Sequence, residues 1–439
     1  MFRRFLFSCL IGLIAHAPAL AALKIEAWTL ENGARVLFVE NHTIPMLDVS
    51  VDFDAGSRRD PQGKPGTALL TQAMLARGLR AEGKEPALTE AQISDTFADT
   101  AAQQGGAAGM DRAGVTLRTL ADPAERDVSV ALLARLLAHP SFPDNFLARD
   151  RARLIAAIKE EETKPEAIAD KAFRRHAYGD HPYGRSPTAA SVQAIARDDL
   201  VRFHRTHYVA NRAVVAMIGS ISRAQADAIA RELTRRLPQG APLPELPQVR
   251  IAPGQEHWIA HPASQAHVVI GMPAVARGDP DFFPLMVGNY TLGGGGFVSR
   301  LMREVREKRG LAYSAYSYFS PLAQPGPFEA GLQTQREQAD NALGVVRETI
   351  GAFLRDGPSE QELQAAKDNL IGGFALRIDN NRKILDNIAM IGFYGLPLDY
   401  LDTWTERIAR VTLADVRAAF GRKLAVEGMT TVVVGGARQ

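Results

Sequence analysis

Arg306 and Tyr313 stand seven residues apart, with Gly310 between them. A guanidinium fork and a phenol donor can both stabilise negative charge that develops on oxygen, so the pair could assist acyl transfer. Gly310 would end a helix and turn the chain into the strand that carries Tyr313. Composition alone favours a plainer account: a surface arginine in the charged run Arg303 to Arg309, and a strand tyrosine half-buried among Tyr316 and Tyr318. His204 and His207, at i and i+3, form the strongest local pair for a metal. A helix surface or end with polar caps explains them better. His257, His261 and His267 lack ligand spacing and read as loop and strand-edge residues, while His42 and His181 are single. The run Gly293–Gly296 could offer backbone N–H groups to a phosphate. No Lys-Ser/Thr follows it and no βαβ unit surrounds it, so a loop leading into a helix accounts for it better.

Two halves of similar construction must position these residues. The stretch Leu237-Pro238-Gln239-Gly240-Ala241-Pro242-Leu243-Pro244-Glu245-Leu246-Pro247 carries four prolines, which forbid continuous helix and favour an extended linker. Residues 22–237 then form one domain, 238–254 the linker and 255–439 a second domain. Each half opens with an alternating apolar strand, Leu47–Phe53 or His267–Met272, and continues into a helix, Gly66–Ala76 or Phe297–Lys308. Each then runs from a strand into a long helix, starting near Asp122 or Glu337. Each closes on a helix and an apolar strand: Asp198–His207 with Ala213–Gly219, and Leu413–Lys423 with Thr430–Gly436. This order predicts an α+β fold of two homologous domains, each a mainly antiparallel sheet with helices packed on one face.

Apolar content of 46% and charged content of 23% allow a sizeable core and give no sign of disorder. Arg3-Arg4, the apolar run Phe5–Ala17 and Ala19-Leu20-Ala21 fit a signal peptide over residues 1–21. The apolar run is short for a spanning helix, so stable membrane insertion after cleavage is not expected. Cleavage would remove the only cysteine, two of the 51 basic residues and none of the 49 acidic ones. The remaining formal charge is zero, which gives no electrostatic case for nucleic acid. The expected compartment is the periplasm.

Several motifs recur in a telling order. Leu30-Glu31-Asn32-Gly33-Ala34-Arg35-Val36 comes first, then Phe53–Asp60 with Gly63–Ala68, then His181-Pro182-Tyr183-Gly184-Arg185. The longest block runs from Leu292 to Leu301 and on through Arg306 to Ser314. Together they resemble the pitrilysin/insulysin/mitochondrial-processing-peptidase family over essentially the whole chain beyond residue 21. In that family one helix carries H-x-x-E-H, whose histidines hold zinc and whose glutamate polarises a water. The matching positions here are Leu69, Gln72 and Ala73. The family's third ligand, a glutamate on a later helix, falls near Ala157, with Glu160, Glu161 and Glu162 close by. A lone carboxylate would hold zinc poorly, and without the base no hydroxide forms near neutral pH. The resemblance therefore implies no metal, no cofactor and no hydrolysis by this chain alone.

The resemblance also changes the reading of Arg306 and Tyr313. Active members contribute an arginine and a tyrosine at this spacing from the second domain; the tyrosine bonds the scissile carbonyl and the arginine holds the substrate backbone. Active members also bind peptide along an edge strand, which here is the glycine- and alanine-rich Gln103–Met110 and lacks the usual asparagine. The implied function is a non-catalytic, substrate-binding subunit of a heteromeric zinc metallopeptidase acting on peptides or small unfolded polypeptides. Its partner would be a homologous subunit that carries H-x-x-E-H and the zinc, with Arg306 and Tyr313 completing that partner's active site. The competing expectations are a scaffold without a role in catalysis, a stand-alone peptide-binding protein, and an enzyme built on another metal site.

Overall fold

The computed structural model describes residues 23–437, and the targeting segment expected at 1–21 lies outside them. In the first sheet, Met46–Phe53 runs antiparallel between Val214–Gly219 and Ala113–Leu120. Gln103–Ala108 closes one edge. On the other side Arg35–Glu40 pairs parallel with Val214–Gly219, and Glu26–Thr29 forms the outer edge. In the second sheet, Gln265–Val275 runs antiparallel between Thr430–Val434 and Gly326–Gln335. Ala312–Phe319 closes one edge, and Glu256–Ile259, parallel to Thr430–Val434, closes the other. Strand by strand the second sheet repeats the first, apart from Glu26–Thr29. The repeat is thus present in topology as well as in pattern.

Helix starts follow local chemistry. Asp122 accepts the N–H of Ala124 and Pro123 occupies the first turn of Pro123–Ala138. Thr412 and Asp415 form a capping box that opens Leu413–Lys423. Two helices differ from expectation. The first-half helix is Thr67–Met74, shorter than Gly66–Ala76. In place of a continuous helix over Phe297–Lys308 there is a 3-10 turn, Gly296–Val298, then a wide turn, Met302–Glu307. The break follows from Gly296 at φ +61° and from the extended backbone of Ser299.

Each half also covers the other's sheet. On Arg35–Glu40 and Val214–Gly219, the side chains Val36, Phe38, Val215 and Met217 join the core under the first half's own helices. The alternate side chains Val39, Ala216 and Ile218 pack on Ile384, Leu385 and Ile388 of Asn381–Tyr394, a second-half helix. The approach is close enough that a Cβ on Gly392 would lie 2.5 Å from Leu37. Reciprocally, Ala169, Phe173 and Ala177 of the first-half helix Pro165–Tyr178 pack on Val269, Val432 and Val434 of the second sheet. These strands are therefore buried on both faces, which explains why they read as unbroken apolar runs.

A buried carboxylate pins the exchange. Asp111 is 2% exposed. Its Oδ1 accepts from Arg58 at 2.7 Å and the Tyr183 hydroxyl at 2.6 Å. Its Oδ2 accepts from the Tyr394 hydroxyl and the Ala323 N–H, both at 2.8 Å. The linker 238–254 has no regular structure but is held to both halves. The carbonyl of Pro247 accepts from His181 at 3.0 Å and from Gln324 at 2.9 Å. Among the described residues no helix is long and apolar enough to cross a membrane.

Candidate functional site

Four glycines build the approach to Arg306. A Cβ on Gly293 would lie 2.3 Å from the Ser317 hydroxyl, and one on Gly295 would lie 2.6 Å from the Tyr290 carbonyl. The run therefore lets the loop press against the edge strand Ala312–Phe319, a packing role rather than a phosphate cradle. Asn289 fixes the contact by donating to the Ser317 carbonyl and accepting from the Ser317 hydroxyl, at 2.9 and 2.6 Å. Beyond the loop, Arg300 is tied to Glu362 at 2.6 Å. The turn Met302–Glu307 is wound in the wide i to i+5 pattern, a form frequent at functional sites. Gly310, at φ +62°, ends it with its N–H on the Arg306 carbonyl.

The charged run sorts itself around Glu304. Arg303, Lys308 and Arg309 all pair with that carboxylate, and the Lys308 hydrogen bond leads in bringing it down to about 2. Arg306 takes no part. Its guanidinium lies 4.8 Å from the Phe297 ring centre and 4.9 Å from that of Tyr313, between two aromatic faces. Tyr313 is 82% exposed, not half-buried among its neighbours. A bulge places it there: Ala312 pairs with Thr334 but Ala315 with Leu332, so one extra residue leaves Tyr313 outside. Phe297 and Val298 are 66% and 68% exposed beside it. Sequence reasoning passed over these two; an apolar pair in a loop directly after four glycines was the available signal.

The first-half counterpart is chemically empty. On Thr67–Met74, Leu69 and Gln72 are partly buried and Ala73 is exposed. The helix begins where buried Asp60 accepts the N–H groups of Gly66 and Ala68, both at 2.7 Å. Gln72 lies against the edge strand: a Cβ on Gly106 would approach its amide nitrogen to 2.7 Å. Ala157 is exposed on the neighbouring helix Asp144–Glu161. Glu160 pairs with Lys164 at 2.7 Å and Glu161 with Lys171 at 2.8 Å. Leucine, alanine and an amide do not fit a zinc ion, and among the described residues no three His, Cys, Asp or Glu side chains group as a metal site. No hydrogen bond, ion pair or ring contact joins Arg306 or Tyr313 to Leu69, Gln72 or Ala73.

The histidines correct the sequence reading in detail. His204 and His207 are not on a helix surface but buried, at 7% and 6% exposure. His204 donates to the Leu137 carbonyl at 2.7 Å and His207 to the Asp54 carbonyl at 2.9 Å. Burial lowers both to about 4, so they act as neutral structural donors rather than ligands. His267 is on the central strand Gln265–Val275 and is buried, not at a strand edge.

Residues 35–190 match the insulinase family, peptidase family M16, and residues 194–370 match the peptidase M16 inactive domain. A solved peptidase M16 inactive domain from Pseudomonas fluorescens is 34% identical, with a TM-score of 0.90 over 95% of this chain and 98% of that one. The chain belongs to peptidase family M16. A relative in Helicobacter pylori, described as the non-peptidase homolog YmxG, is 26% identical over 442 residues, 98% of each chain. A solved protease from the same organism is 18% identical and shares the fold, with a TM-score of 0.84 over 94% of this chain and 99% of that one. The inactive-domain match and the non-peptidase relative make this a non-catalytic member of M16.

Proposed function

We propose that this M16 protein is the substrate-binding, non-catalytic subunit of a heteromeric zinc peptidase in the periplasm. Its partner is a homologous subunit that carries H-x-x-E-H and the zinc. The Tyr313 hydroxyl donates to the scissile carbonyl oxygen in the partner's site, where negative charge grows as the tetrahedral intermediate forms. Arg306 holds a backbone carbonyl of the same peptide. The observation that carries this reading is the pair itself, a half-buried Arg306 beside an exposed Tyr313. In a run where the neighbouring cations pair with Glu304, Arg306 alone stacks between Phe297 and an 82% exposed Tyr313. Held this way, the guanidinium gives none of its hydrogen-bond donors to another side chain.

The test is reconstitution with an H-x-x-E-H homologue on a quenched peptide, with and without chelator. Cleavage is expected only from the mixture. Tyr313→Phe should lower kcat by about 10²-fold, as removal of one oxyanion donor does elsewhere. Chelator-sensitive cleavage by this chain alone would sink the proposal. So would a mixture that cleaves equally well with Tyr313→Phe and Arg306→Ala, which would make the chain a scaffold.

A further inference from the structure

Away from Arg306 and Tyr313, a cavity of about 370 Å³ opens in the second half. Phe282, Phe283, Leu396 and Tyr400 form much of its apolar wall, and Arg277, Arg407 and Arg410 stand around it. Its size suits a small organic molecule, and apolar walls with few polar groups are the usual lining of such sites.

The polar groups are unevenly matched. Asp279 is held by Lys423 at 2.5 Å, and Asp415 accepts the N–H and hydroxyl of Thr412 at 2.9 and 2.7 Å. Arg410 pairs with Glu406, and Arg277 donates to the Pro321 carbonyl at 3.1 Å. Two donors are left over. Arg407 makes no ion pair and no side-chain hydrogen bond; its guanidinium lies 5.4 Å from the Phe283 ring centre and 6.0 Å from that of Tyr400. The Tyr400 side chain is largely buried and lines the cavity, and its hydroxyl bonds to no other residue. Burial pushes that phenol up, while Arg277, Arg407 and Arg377 pull the other way, so positive charge converges on it. A hydroxyl open to the cavity with a guanidinium beside it offers two convergent donors, which suit a planar anion.

We propose that this cavity binds a small carboxylate with an apolar, ring-sized body. Arg407 and the Tyr400 hydroxyl take the carboxylate, and Phe282, Phe283 and Leu396 surround the body. The same chemistry belongs to a free aromatic acid and to the C-terminus of a peptide that ends in phenylalanine. The site stands on its own residues and does not rest on the proposed subunit function.

The experiment is calorimetric and ligand-observed NMR titration of the intact protein with 3-phenylpropionate, its amide, and acetyl-Gly-Gly-Ser-Phe as acid and amide. A Kd of about 1 mM or tighter is expected for 3-phenylpropionate, as suits a fragment of this size. Its amide should bind at least about tenfold more weakly. Arg407→Met keeps an apolar stem against Phe283 and should weaken the acid about tenfold. Tyr400→Phe should weaken it about threefold to tenfold, and decides the matter if Arg407→Met lowers the Tm. A peptide acid that binds more tightly than 3-phenylpropionate assigns the site to peptide C-termini; one that binds more weakly assigns it to free acids. No saturable binding of either acid, an amide that binds as tightly as its acid, or undiminished binding by Tyr400→Phe overturns the proposal.

Discussion

Replacing Asp111 by alanine takes one acceptor from four donors at once. Three of them, the Tyr183 and Tyr394 hydroxyls and the Ala323 N–H, are neutral, and each loses a buried hydrogen bond worth about 1 kcal/mol or more. Arg58 is charged, but it keeps Asp54 at 2.9 Å, so its loss is below the 3–5 kcal/mol of a wholly unpaired buried ion, about 2 kcal/mol. Together the cost is about 5 kcal/mol. Because each half covers the other's sheet, the protein should unfold as one unit. At about 2 cal/mol/K per residue, 5 kcal/mol then lowers the Tm by about 6 °C; separate halves would show about twice that. Urea unfolding followed by tryptophan fluorescence reads both points, since Trp28 lies in the first half and Trp258 and Trp404 in the second. Tyr183→Phe and Tyr394→Phe should each cost about 1 kcal/mol. A loss under 1 kcal/mol for Asp111→Ala, in the range of an ordinary surface change, would refute the clamp.

Acid should loosen the first half. His204 and His207 stay neutral in the fold down to about 4, while the unfolded chain takes up protons below about 6.5. Their stabilisation is complete above pH 6.5 and is lost as pH falls toward 4, by up to about 3 kcal/mol each. Asp60, raised to about 6 by burial, acts with opposite sign between pH 6 and 3.8. The urea midpoint should still fall across that window, less so in His204→Asn. Phe297→Ala removes one of the two faces on Arg306; reconstituted kcat/KM should drop about threefold to thirtyfold while the urea midpoint stays within error. Gly293→Ala drives a Cβ into the Ser317 hydroxyl and should cost about 1–3 kcal/mol, read in the same urea series. Restoring the ligand set with Leu69→His, Gln72→Glu, Ala73→His and Ala157→Glu should create zinc binding. At a hundred times Kd, zinc should then add about 2.7 kcal/mol of stability, seen as a Tm rise that chelator reverses.

How much of this was legible depended on distance along the chain. The start of Leu413–Lys423 was readable because Thr412 and Asp415 cap it from three residues apart. The central strands of both sheets were readable because alternation and apolar runs are local, whereas Glu26–Thr29 and Arg35–Glu40 were not read as strands. The exchanged helices were not. Asn381–Tyr394 shows an apolar stripe, but nothing in it says that Ile384 and Ile388 meet Val39 and Ile218 rather than their own sheet. The histidine pair misled for the same reason: the acceptors, Leu137 and Asp54, are 67 and 153 residues away. Arg306 and Tyr313 were readable as a pair only through the family resemblance. That Arg306 would turn from Glu304 to Phe297 depended on a loop shape set by Gly293 and Gly295, which spacing does not encode.

The repeat gives the division of labour a structural form. In each half the chain passes from the central strand through two main helical segments to an edge strand: Met46–Phe53, Thr67–Met74, Glu90–Asp99 and Gln103–Ala108, then Gln265–Val275, Phe282–Asn289, Met302–Glu307 and Ala312–Phe319. Phe282–Asn289 is therefore the counterpart of Thr67–Met74, and Met302–Glu307, directly before its edge strand, is the counterpart of Glu90–Asp99. On Thr67–Met74 the positions that the resemblance matches to H-x-x-E-H are Leu69, Gln72 and Ala73, and Gln72 lies against its edge strand. At Met302–Glu307 and the edge strand after it, a bulge turns Tyr313 out toward solvent and a wide turn sets Arg306 against its ring. The π-type turn departs from a regular helix, and Arg306 lies against aromatic rings instead of a carboxylate. A scaffold has no use for that departure, whereas a subunit whose reactive carbonyl lies on another chain needs its donors held outward before the partner arrives. If Phe297→Ala lets Arg306 fold back to Glu304 or Glu307, reconstituted activity should fall while assembly with the partner, measured by sedimentation, stays the same.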